Sequence, residues 1–199
     1  HLTGNTMIDT LVYLMPRIDA ARTAAGLGLE EGGYAVVTLH RPSNVDVPER
    51  LAALVDLVRE LGTRLPVVFP VHPRTRGTLE AAGLWARLTA EKAVRVLGPQ
   101  PYFDFLSLVK HSRFVLTDSG GIQEETTFLG VPCVTARTST ERPVTTEIGT
   151  NILVGEDFTR SREAVAGILA GRARRGAIPP LWDGRSAERT VTILAERGA

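Results

Sequence analysis

Residues 114–130 read FVLTDSGGIQEETTFLG, and this stretch decides the fold. FVLT is a continuous apolar run without polar alternation, the pattern of a strand covered on both faces. Asp118 and Ser119 end the run, Gly120 and Gly121 follow, and the chain then reads as a helix. A strand passing through a small-residue turn into a helix is the local unit of an α/β protein.

Working outward, the same unit recurs along the chain. Apolar runs at 34–39 (YAVVTL), 66–71 (PVVFPV), 94–98 (VRVLG), 132–136 (PCVTA) and 151–155 (NILVG) read as further strands. Between them, 48–61 carries Leu51, Leu54, Val55, Val58 and Leu61 at helical spacing, with Pro48 suited to a first turn. Helices are also expected over Thr75–Trp85, over 102–112, as a short turn in TERPVTTEIG, and near 159–170 and 184–197. At the start, Ile8, Leu11, Val12 and Met15 share a helical face that Pro16 is expected to interrupt, and GLGLEEGG reads as a linker. Strand–helix alternation with strands apolar on both faces predicts an α/β protein built on a parallel, doubly wound sheet.

Composition bounds the function. The chain has 199 residues, 43% hydrophobic and 23% charged, which suits one ordinary globular domain with room for an appendage. A formal net charge of +1 gives no electrostatic case for nucleic acid. No apolar run approaches the roughly 18 residues of a membrane span, and no signal peptide is visible. Cys133, the single cysteine, lies in an apolar run and reads as a buried core thiol of a reducing, cytoplasmic protein. The opening residues, without an initiator methionine, read as a segment of a longer chain.

In doubly wound sheets, ligands bind beyond the carboxyl ends of the strands. The segments there are HRPSN, HPRTR, GPQPYFDF, DSGGIQEE and RTSTERP. Gly120 and Gly121 allow close approach of a ligand to the first turn of a helix, whose free N–H groups favour a phosphate or diphosphate. Ser119 offers a hydroxyl, and Glu125 an acceptor for ribose hydroxyls. Against this, Ser119 caps the helix and Glu124 and Glu125 complement its dipole in the simplest structural reading. His40 reads as a proton-transfer group, a phosphate contact or a structural histidine. Arg41 reads equally as a phosphate ligand or an ion-pair partner. His72 offers a hydrogen bond to phosphate or sugar, whereas Arg74 and Arg76 read as solvated helix-start residues. Arg142 is an anion binder or part of a surface loop, with Thr138, Ser139 and Thr140 as hydroxyl donors. Phe105 is core, or a ring stacked on a base. Trp85 and Trp182 read as packing residues, and His1 and His111 have no motif around them. The absence of GxGxxG argues against a dinucleotide cofactor, and no spacing supports a metal.

The motifs TGNTMID, TLHRPSNVD, VHPRTR, TDSGGIQEE, TERPVTTEIGTNILVG and DGRSAERTV, in this order, resemble the C-terminal half of the bacterial non-hydrolysing UDP-N-acetylglucosamine 2-epimerases. The resemblance runs over essentially the whole chain. It implies a Rossmann-like sheet forming the C-terminal domain of a glycosyltransferase-B-like two-domain fold. Residues 1–28 would connect from a missing N-terminal domain, 29–180 would bind UDP, and 181–199 would form a tail helix. The resemblance implies that Ser119, Gly120 and Gly121 hold the diphosphate, that Glu125 binds the ribose and that Phe105 lies beside the uracil. It implies further that Arg142 faces the substrate, that His40 is catalytic, and that Arg41 and His72 lie near phosphate.

The implied reaction interconverts UDP-GlcNAc and UDP-ManNAc through elimination and re-addition of UDP, with no cofactor. Most of the acid–base pair belongs to the N-terminal domain, so this chain alone is expected to be inactive, and the complete protein to be a homodimer. In some members the residues matching Arg41 and His72 also lie near an allosteric second substrate molecule; many members read HRREN where this chain reads HRPSN, a departure that falls on those contacts more than on the histidine. The alternatives are a hydrolysing relative, a glycosyltransferase of the same fold, whose two-glutamate signature Glu147 and Glu156 do not match, and a stand-alone nucleotide-sugar sensor.

Overall fold

A computed structural model describes residues 1–156 and 158–198. Six strands, β1 (Ala35–Thr38), β2 (Val67–Pro70), β3 (Val94–Leu97), β4 (Phe114–Thr117), β5 (Cys133–Thr135) and β6 (Asn151–Leu153), form one sheet. Their order is β3-β2-β1-β4-β5-β6 and every pairing is parallel. The chain moves outward to one edge, then returns to add β4 on the other side of β1. That reversal between β1 and β4 opens a crevice at their carboxyl ends, where ligands of such sheets sit.

Helices cover both faces, which explains the apolar runs. Ala35 and Val37 of β1, with Phe114 and Leu116 of β4, join a core with α4 (Pro48–Gly62) and α10 (Phe158–Leu169). Val36 and Val115 join the opposite core with α1 (Thr6–Ala21) and α7 (Tyr102–Lys110). Within α4, Leu51, Leu54, Val55, Leu57, Val58 and Leu61 are all buried, each contributing about 1.5–3 kcal/mol. Cys133 is fully buried, and burial pushes its thiol up to about 11, so it packs as a small hydrophobe.

Three local expectations change. Helix α1 continues through Pro16, because Ile8, Leu11 and Ile18, all buried, anchor it on both sides of the lost N–H. The helix expected over Thr75–Trp85 is two helices, α5 (Pro73–Ala81) and α6 (Trp85–Thr89), parted at Gly83 with φ +67. The glycine-rich segment is not a loose linker: it follows directly from a packed turn of helix, α2 (Thr23–Gly26), and its Leu29 is buried. Elsewhere α3 (Pro42–Val45), α8 (Gly120–Leu129), α9 (Pro143–Glu147) and α11 (Ser186–Gly198) complete the chain. Asp9 of α1 accepts from the Ser186 and Ala187 N–H groups at 3.0 and 2.7 Å, capping α11 and tying the two terminal segments together. Among the described residues no helix is long and apolar enough to cross a membrane.

Candidate functional site

The crevice beyond β1 and β4 is an open cleft of about 300 Å³, with His40, His72, Phe105 and Ser119 in its lining. Register explains the meeting. Thr38 pairs with Thr117, so the residues after each strand emerge side by side. His72 arrives from the next strand, and the two imidazole centroids stand 5.6 Å apart. Phe105 comes from α7, half-buried against the core with one side on the cleft.

The crevice is organised by a residue that carries no motif role of its own. Asp118 is fully buried directly after β4. Its carboxylate accepts from His40 N at 3.1 Å, Arg41 N at 2.8 Å and Asn44 Nδ2 at 2.9 Å. His40 Nδ1 lies 3.0 Å from its other oxygen. Burial alone would raise this carboxyl's pKa. The hydrogen bonds from His40, Asn44 and Arg41 outweigh it and hold the group below the usual range. Asn44, also fully buried, reaches Asp118 from α3, where Pro42 starts a single helical turn, and its amide also donates to the Ala136 carbonyl at 3.1 Å.

The start of α8 is open. Ser119 occupies the N-cap position, yet its side chain makes no capping hydrogen bond. Among the described residues nothing accepts from the Gly120 or Gly121 N–H groups. Neither glycine has a positive φ. A Cβ at Gly120 would have the Glu141 Oε2 as its nearest neighbour, at 3.8 Å, so the fold does not itself require glycine there. A Cβ at Gly121 would meet the flexible end of Met7 at 3.0 Å. Gln123 Nε2 holds the Ser119 carbonyl at 3.0 Å, and its Oε1 accepts from Thr140 and Asn151 at 2.6 and 3.0 Å, so a buried network fixes the turn.

Glu125 and Arg142 do not line the cleft; they sit around the body of α8. Glu125 is buried and accepts from the Tyr102 hydroxyl at 3.1 Å. Burial, relieved in part by Tyr102 and reinforced by neighbouring Glu124, pushes its pKa up to about 7. Glu124 Oε1 accepts from Asn5 Nδ2 at 2.7 Å and pairs with Arg142 Nε at 3.1 Å, leaving the terminal nitrogens of Arg142 clear of any described acceptor. Arg41 is engaged within the protein. Its Nε donates to the Asp118 carbonyl at 3.0 Å, and Nη2 lies 3.7 Å from Glu141, which Arg137 holds in a two-pronged pair. That pair draws the Glu141 pKa down to about 2. Arg74 pairs with Asp46, and Arg76 with Glu80 at 2.8 Å. Among the described residues no three His, Cys, Asp or Glu side chains gather as a metal site requires.

Tyr102, Asp118, Asn44 and Asn5 carry no site role in the sequence reading, and Glu124 only that of a helix-dipole charge. The usable signal was positional: Asp118 and Asn44 are polar residues beside strand ends that face the crevice.

A family model described as UDP-N-acetylglucosamine 2-epimerase matches residues 1–195. A UDP-N-acetylglucosamine 2-epimerase of Methanocaldococcus jannaschii is 36% identical over 198 residues, 97% of this chain and 54% of the relative. A UDP-2,3-diacetamido-2,3-dideoxy-D-glucuronate 2-epimerase of Pseudomonas aeruginosa is 40% identical over 154 residues, 76% of this chain and 40% of that protein. The crystal structure of a Methanocaldococcus jannaschii UDP-GlcNAc 2-epimerase with UDP-GlcNAc and UDP superposes with a TM-score of 0.83 at 36% identity, over 98% of this chain and 54% of that one. The chain thus spans about half the length of the curated relatives it matches. The expected Rossmann-like sheet of the glycosyltransferase-B type is the one found. With its motifs, its sheet order and the family match over 1–195 in accord, the chain belongs to the UDP-N-acetylglucosamine 2-epimerase family.

Proposed function

We propose that this chain is the nucleotide-binding half of a UDP-N-acetylglucosamine 2-epimerase. The observation that carries the reading is the uncapped start of α8 at the sheet's reversal point: Ser119 lines a cleft shared by His40, His72 and Phe105, and among the described residues nothing accepts from the Gly120 and Gly121 N–H groups that follow it. An unclaimed helix start beside two imidazoles suits a diphosphate. Phe105 then lies beside the uracil, Glu125 accepts from the ribose hydroxyls, and Arg142 turns its free terminal nitrogens to the substrate. Arg41 and His72 complete the surroundings of the phosphates, and the whole of 29–180 acts as the UDP-binding unit.

In this reading a base removes the sugar C2 proton and the C1–O bond to UDP breaks, leaving a glucal. The proton then returns to C2 on the opposite face while UDP re-adds at C1. The site must hold UDP through the whole cycle, which the start of α8 is shaped to do. His40 takes part in the proton traffic, and a further domain of the complete protein supplies the remaining acid–base groups. A homodimer of the complete protein, a cytoplasmic setting and the supply of amino-sugar units for cell-surface polysaccharide belong to the same reading.

The P. aeruginosa relative is named for a different UDP-sugar, which supports a reading in which the sugar varies while the UDP grip is kept. The test is product analysis of the complete enzyme with UDP-GlcNAc in D2O. UDP-ManNAc carrying deuterium at C2 is expected, whereas free ManNAc with stoichiometric UDP release would move the protein to the hydrolysing class.

A further inference from the structure

We propose that Asp118 is a positioning residue that fixes His40 in the Nδ1–H tautomer, presenting the Nε2 lone pair to the cleft, while His72 is held in the opposite tautomer and presents an Nε2–H donor. The proposal rests on the nucleotide-sugar reading only for the use made of the two nitrogens; the tautomers follow from hydrogen bonding alone.

Four donors converge on the Asp118 carboxylate: the His40 and Arg41 backbone N–H groups, the Asn44 amide and His40 Nδ1, all within 3.2 Å. An ionised carboxylate only accepts, so the hydrogen of the imidazole contact must sit on His40 Nδ1. Asp118 is fully buried, and Asn44 beside it as well, so no water competes for this carboxylate and the ring is held from behind. The His40 side chain is 40% exposed, and its ring lines the cleft. In the neutral ring the remaining nitrogen, Nε2, is therefore an acceptor.

His72 is arranged the other way. Its Nδ1 accepts from the Arg74 N–H at 3.2 Å, as the N-cap of α5. A nitrogen that accepts carries no hydrogen, so the proton of neutral His72 is on Nε2. The two rings stand 5.6 Å apart beside Ser119. The cleft thus offers one proton acceptor and one hydrogen-bond donor from chemically identical side chains, sorted by what each binds behind it. The donor suits a phosphate oxygen. The acceptor suits a proton in transit, and the buried carboxylate stabilises the imidazolium that results.

The direct test is long-range 1H–15N correlation of this chain, at a pH where both imidazoles are neutral. His40 is expected to show a protonated Nδ1 and a bare Nε2, and His72 the reverse. In Asp118→Asn, His40 should lose its single tautomer while His72 keeps its own, which also reports that the fold has survived. In the complete enzyme the same variant should lower kcat on the order of 100-fold or more, with KM changed only a few-fold. A wild-type His40 protonated at Nε2, or populated equally in both forms, overturns the proposal without need of any variant. So does an unchanged kcat in Asp118→Asn. If the complete enzyme epimerises nothing while the tautomers are as assigned, the epimerase reading fails and the pairing stands.

Discussion

Tyr102 donates its hydroxyl hydrogen to Glu125 Oε1 across 3.1 Å, joining the first turn of α7 to the second turn of α8. The carboxyl is buried, and its pKa of about 7 means that the folded protein binds a proton there more tightly than the unfolded chain, whose value is 4.5. Stability from this group is therefore fully present below pH 4.5 and is lost as pH rises through 7. The full loss is about 3 kcal/mol. Glu125→Gln keeps an acceptor for Tyr102 and removes the ionisation. Its unfolding free energy should equal that of the wild type near pH 4.5 and exceed it progressively toward pH 8. Urea melts across that range check the trend, and a constant difference would contradict it.

Glu124 joins three motifs, with Asn5 and Arg142 both on its Oε1. Its Oε2 is buried without a partner among the described residues, so the carboxylate depends on these two donors. Glu124→Ala should cost about 2–3 kcal/mol and release Arg142, whereas Glu124→Gln retains the Asn5 contact and should cost less. An unchanged urea midpoint in Glu124→Ala would show that this junction does not stabilise the protein.

Two glycines separate ligand approach from packing. At Gly149 a Cβ would lie 2.3 Å from Thr127 Oγ1 and 2.7 Å from the Thr145 carbonyl, a backbone atom that cannot swing aside. Gly149→Ala should therefore destabilise the protein by at least about 2 kcal/mol. Gly120 has 3.8 Å of clearance, so Gly120→Val should melt within a few degrees of the wild type while losing UDP affinity by 10-fold or more. Differential scanning fluorimetry and UDP titration on both variants check the contrast. Loss of stability in Gly120→Val equal to that in Gly149→Ala would return the glycine to a structural role.

Much of the fold is written in local sequence. FVLT and PERLAALVDLVREL carry their own periodicity, and the strand and helix they predict are found at 114–117 and 48–62. Helix α1 running through Pro16 could not be read, because burial of residues on both sides of the proline decides it. The position of β4 beside β1 could not be read either, since strand neighbours are set by tertiary packing. The same applies to the site. His40, His72, Phe105 and Ser119 stood out as residues near strand ends, and the register of β1 with β4 brings them to one cleft. Asp118 in DSGG looks like an ordinary turn residue. Its importance comes from His40 and Asn44, 78 and 74 positions away in sequence. Likewise Glu124 reads as a helix-dipole charge until Asn5, 119 residues earlier, is seen to reach it.

The most direct test of a uridine-diphosphate grip at the start of α8 is calorimetric titration of this chain with UDP, beside ADP and pyrophosphate. One UDP is expected to bind per chain, with weaker or absent binding of ADP and loss of the UDP heat in Gly120→Val. Equal affinity for UDP and ADP, or no heat with any of the three, would contradict a uridine-diphosphate grip at the start of α8.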